Sequence, residues 1–143
     1  MGSLVLVRGL TSFTLLVFGG AKLVSALLDG GLEPIALAGT GLSLGTPGQV
    51  LLAVSELALA ALLWTRWKAW ASRGVLALAL AFVLHWNLEA WSGTLPSGCG
   101  CLGRIPMSPA ASGLAALALL CLGAVLVLGP GGDPRHPGPL RRA

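Results

Sequence analysis

Four long apolar runs, joined by short connections, leave this chain almost no choice of solvent. They extend from Leu10 to Leu28, from Val50 into the stretch WTRWKAW at residues 64–70, from Val75 to Trp91, and from Ala110 to Leu128. A helix that crosses a bilayer needs about 20 mostly apolar residues, and each run is close to that length. A soluble domain needs a polar shell, typically with about 25% of its residues charged. Here 10% of the 143 residues are charged and 55% are hydrophobic. The expected fold class is therefore all-α, an integral membrane four-helix bundle occupying residues 1–129. Residues 130–143 are rich in glycine and proline and are expected to form a disordered tail. The spans use nearly the whole chain, which leaves no room for a soluble catalytic domain. A net charge of +4 raises the question of nucleic acid. The basic residues lie at the ends of the runs rather than along one face, which argues against such a partner; the surrounding lipid is the partner expected instead.

The same charges orient the chain. Arg8 precedes the first run. Arg66, Lys68 and Arg73 separate the second from the third, and Arg135, Arg141 and Arg142 follow the fourth. Arg104 alone belongs to the other side, and Lys22 lies inside a run. By the positive-inside rule both termini are expected in the cytoplasm of a multi-pass plasma-membrane protein. The segment LPSGCGCLGR, residues 95–104, then faces outward. The first run also has the outline of a signal peptide, with Arg8 as its basic region and VSA ahead of Leu27. Lys22 interrupts its apolar region, so the segment is expected to be retained.

Ionisable side chains inside spans are costly and usually face the bundle interior with a partner. Lys22, Glu56, His85 and Glu89 are the candidates, joined by Asn87. Lys22 lies six residues before Leu28, and Glu56 six residues after Val50. At 1.5 Å per residue, each sits about 9 Å below the outer end of its run. Consecutive spans run antiparallel, so a Lys22–Glu56 pair is expected. His85 and Glu89, four apart, share a helix face, whereas Asn87 points elsewhere on the same helix. Each of these residues also has a plainer role: a buried pair fixes helix register, an asparagine bonds a neighbouring helix, and His85 and Glu89 snorkel to the interface beside Trp86 and Trp91. Their gathering at one depth favours a functional reading.

Cys99 and Cys101 are separated by Gly100 on the outward segment, where disulfides persist. Bridged Cα atoms are usually about 4.4 to 6.8 Å apart, and residues two apart meet that only on a bent backbone, which Gly100 permits. Bridging such near neighbours closes almost no loop and stabilises little, and strained, exposed disulfides are the labile kind. A redox-active pair is the expectation. A metal site using His85 or His136 is a weaker alternative, since zinc normally takes three or four ligands; an incidental glycine-rich turn is another. Cys121, deep in the fourth run, reads as a small packing residue. With three cysteines in the chain, a relay between two cysteine pairs is excluded.

Three motifs together resemble the MauE family of methylamine-utilisation membrane proteins, grouped with the DoxX-like four-helix membrane proteins. FGGAKL at residues 18–23 is similar to the family's span-one signature, with Lys22 as its lysine. SELALA at residues 55–60 resembles its span-two segment, with Glu56 as its acid. CGCLG, Cys99 to Gly103, resembles the family's CGCFG loop, with Leu102 in place of phenylalanine, and Asn87 falls where a span-three asparagine is often seen. The resemblance implies a membrane protein that assists disulfide formation beside a thioredoxin-like or other extracytoplasmic thiol protein. It further implies maturation of the disulfide-rich small subunit of periplasmic methylamine dehydrogenase. No cofactor motif is present; a quinone is one candidate electron acceptor. The competing expectation is a non-catalytic assembly subunit whose polar residues serve helix packing. A transporter is disfavoured because inverted repeats or broken helices are missing from the pattern.

Overall fold

The computed structural model describes residues 2–28, 35–37, 42–92 and 108–129. Helix α1 spans Gly2–Leu28, α2 Thr46–Leu62, α3 Lys68–Ser92 and α4 Pro109–Leu128. Three of them, α1, α3 and α4, are long and apolar enough to cross a membrane. The fourth, α2, is equally apolar but has 17 residues, about 25 Å of helix. The protein is thus a bundle of apolar helices suited to a membrane. It also contains a feature the apolar runs do not announce. Strands β1 (Ile35–Leu37) and β2 (Leu42–Leu44) pair antiparallel between α1 and α2, with Ala36 opposite Ser43.

Three helices begin several residues earlier than their apolar runs, α2 among them at Thr46 rather than Val50. Helix α1 takes in Arg8, and α3 starts at Lys68 rather than Val75, taking in Arg73. Long basic side chains can sit near a helix end with the charge carried outward, so a charge does not mark the boundary there. The second run does not continue into the third because the backbone tightens at residues 63–67. Trp64 and Thr65 donate to the carbonyls three residues before them, and the Thr65 hydroxyl accepts the Trp67 amide. At the start of α4, Ser108 caps the helix by accepting the Ala111 amide, and Pro109 occupies the first turn.

Close contacts fix the directions. Ser12 meets Ala60, and Gly19 meets Ala53, so α1 and α2 are antiparallel. Gly113 abuts Trp86 and Gly123 abuts Leu76, so α3 and α4 are antiparallel as well. Helix α1 packs mainly on α2, and α3 on α4, with α1 against α4 and α2 against α3 completing a four-sided bundle. The end where α1 and α3 finish and α2 and α4 begin is called the upper end below. The interior is narrow and built largely from small residues, including Ala53, Ala60, Ala71, Ala79 and Ala116. Helices in lipid gain no hydrophobic drive from meeting one another, so close backbone approach is the main source of their attraction.

The distribution of polarity is inverted relative to a soluble protein. Leu6, Phe13, Leu51, Leu84 and Leu114 are exposed, while four of the eight largest fully buried side chains are polar: Lys22, Gln49, Glu56 and Thr11. An apolar solvent accounts for both observations.

Candidate functional site

Lys22 and Glu56 form an ion pair with both side chains fully buried. Their convergence follows from helix geometry. A helical Cα–Cβ bond tilts toward its own N-terminus, and in antiparallel helices the two tilts oppose. Lys22 leans downward from α1 while Glu56 leans upward from α2, closing a gap of about one turn. Gly19 permits this approach one turn below Lys22. A Cβ there would lie 2.9 Å from the Ala53 carbonyl oxygen and 3.0 Å from Leu57. From α3, the Phe82 ring covers the ammonium at 5.2 Å from ring centre to Nζ, a cation–π contact that gains strength away from water. The second carboxylate oxygen, Glu56 Oε2, is buried and accepts no hydrogen bond.

The pair lies deeper than the apolar runs imply. Because α2 begins at Thr46 and not at Val50, Glu56 is ten residues from its upper end, about 15 Å. Lys22 remains six residues from the end of α1, about 9 Å, so the ammonium and carboxylate meet between about 9 and 15 Å below the upper end.

Above the pair the interior stays polar. Gln49 is buried seven residues before Glu56, and Glu89 is buried seven residues after Phe82; seven residues is two turns, so each shares a face with the residue below it. His85 Nε2 lies 3.3 Å from Glu89 Oε1 across one turn of α3. Ser112 is buried on α4 near the same end. The upper half of the bundle thus holds a column of polar side chains drawn from all four helices. A carboxylate beside an imidazole fixes the orientation of the ring.

Asn87 stands apart from this column. It is exposed, and its amide donates to the Val83 carbonyl of its own helix at 2.7 Å. Cys121 corrects the sequence expectation: it is a free, exposed thiol on the outside of α4 rather than an interior packing residue. A cysteine in lipid is stable facing either way, so its chemistry did not decide the side. The expected redox pair Cys99 and Cys101, with Gly100 and Gly103, lies outside the described residues, as does His136. Among the described residues no three His, Cys, Asp or Glu side chains gather as a metal site would require.

Several contributors went unnoticed in the sequence. Gln49 and Phe82 were findable as the residues seven positions from Glu56 and Glu89. Gly19 was findable as the small residue one turn from Lys22. No protein-family model, curated protein or solved structure matches the chain. The arrangement of side chains therefore carries the functional argument.

Proposed function

We propose that this is a membrane thiol–disulfide redox protein whose Cys99 and Cys101 exchange with thiols of an extracytoplasmic partner. One observation supports this reading above the others. The buried ionisable side chains Glu56, Lys22 and Glu89, with the partly buried His85, occupy the middle and upper bundle, and the upper end is where the connection bearing both cysteines begins and finishes. The His85–Glu89 dyad ends three residues before α3 does. In the proposed step a partner thiolate attacks the Cys99–Cys101 disulfide, forming a mixed disulfide and releasing the second sulfur as a thiolate. A second partner thiolate resolves it, leaving the partner oxidised and this pair reduced by two electrons. A membrane-soluble two-electron acceptor of the quinone class regenerates the disulfide. The dyad takes up and returns protons as thiols and thiolates interchange.

On the strength of FGGAKL, SELALA and CGCLG, the proposed family is MauE-type. The proposed client is a disulfide-rich extracytoplasmic protein such as the methylamine dehydrogenase small subunit, with a thioredoxin-like protein as intermediary. Replacing Cys101 by serine should trap a partner on Cys99 as a disulfide-linked adduct, visible on non-reducing gels and absent from the double serine variant. If neither single variant captures any protein, and the double variant matures its clients normally, the redox reading is wrong.

A second reading has its own support. Complete burial of Lys22–Glu56 against the Gly19–Ala53 contact suits a packing device in a non-catalytic assembly subunit. Lys22→Gln and Glu56→Gln, singly and combined, separate the two. Restored function in the combined variant favours packing; restored abundance without function favours chemistry.

A further inference from the structure

The lower end of the bundle carries a second constellation, independent of the redox reading. Ser12 Oγ accepts the Trp64 indole N–H at 2.9 Å and donates to the Ala60 carbonyl at 3.3 Å, which pins the start of the α2–α3 turn against α1. Arg8 lies one turn below Ser12 on the same face of α1. Its Nε is buried and has no hydrogen-bond acceptor. Across the turn, the Arg66 guanidinium sits 5.5 Å from the Trp67 ring centre, and that of Arg73 sits 5.4 Å from Trp70. Lys68 is exposed between them. None of these four cations forms an ion pair among the described residues, and the two described acids, Glu56 and Glu89, lie at mid-depth or above.

A guanidinium lying over an indole face still presents donors at its edge, in the fork geometry that matches phosphate. The tryptophans place this corner at the level of lipid headgroups. Trp67 is 51% exposed and Trp70 67% exposed, and such rings settle at the membrane–water boundary. Charge and depth both select one occupant. We propose that Arg8, Arg66, Lys68 and Arg73 form a binding site for the phosphate group of an anionic phospholipid.

The test is native mass spectrometry of the full chain, released from detergent containing equimolar phosphatidylglycerol and phosphatidylcholine. The wild-type protein should retain phosphatidylglycerol preferentially. The preference should fall about fivefold for each cation removed, in Arg66→Gln, in Arg66→Gln/Arg73→Gln, and in Arg8→Gln. Added salt should lower it in the wild-type protein without any substitution. Equal retention of the two lipids by the wild-type protein overturns the proposal. So does a preference indifferent to both salt and substitution, and so does displacement of the lipid by excess inorganic phosphate, which would assign the site to a soluble anion.

Discussion

The two halves of this bundle solve the problem of polar groups in lipid differently. In the lower half the buried polar residues are hydroxyls, and Thr11 and Ser72 return their hydrogen bonds to carbonyls of their own helices, at 2.8 Å each. Ser12 reaches across to α2. Of the charges there, Arg66, Lys68 and Arg73 are exposed on the rim, two of them over tryptophan rings, and Arg8 is half-buried with its Nε inside. In the middle and upper half the charges are inside: Lys22, Glu56 and Glu89 are buried, and Glu56 Oε2 is left without a donor. A hydroxyl bonded to its own helix costs little in an apolar solvent, whereas a buried charge is costly even when paired. A bundle needing only stability would resemble its lower half throughout. The contrast points to the upper half as the functional one.

That contrast can be broken in graded steps. The largest effect is expected from Glu56→Ala, which strands the Lys22 ammonium at full burial. Removing one partner of a buried pair costs about 3–5 kcal/mol, so folded protein in the membrane should fall to a small fraction of the wild-type amount, while Glu56→Gln falls less. Next comes Gly19→Ala. Its new methyl meets backbone at Ala53, which has no easy escape, and overpacking of this kind costs about 1–3 kcal/mol. The loss should appear as a lowered midpoint in thermal unfolding in detergent. Removing the ring over the ammonium with Phe82→Leu should cost up to about 2 kcal/mol. In a Lys22→Gln background the same change should cost less, and a double-mutant cycle measures the difference. In the lower half, Ser12→Ala loses two ordinary hydrogen bonds, and an effect of about 1 kcal/mol is expected, with Trp64 fluorescence reporting the release of its indole. Asn87→Ala should be nearly silent, within about 0.5 kcal/mol, because the side chain is exposed and bonded to its own helix.

Legibility in the sequence divided along physical lines. The apolar runs announced the helices because bilayer thickness sets their length. Lys22 and Glu56 stood out because charges inside spans are rare enough to imply a partner. Helix starts were hidden, since Arg8, Lys68 and Arg73 are tolerated inside a helix near its end. The true start of α2 at Thr46 set Glu56 about one turn deeper than its apolar run implied, while Lys22 kept its expected distance from the end of α1. The β1–β2 ribbon was signalled by the short triplets IAL and LSL around a glycine-containing stretch, but it lay in a connection between two apolar runs, where no element was expected. Gln49, Phe82 and Gly19 were obscured because their residue types are common; only their spacing from the charged residues marks them.

In the proposed arrangement, the cysteine pair faces outward at the end of the bundle that holds the polar column. A membrane-impermeant maleimide, applied to intact cells after mild reduction, reads this directly. Cys99 and Cys101 should be labelled without permeabilisation, and Cys121, held in the lipid, should stay unlabelled. Labelling of Cys99 and Cys101 only after the membrane is opened would put the pair on the cytoplasmic side and contradict the account.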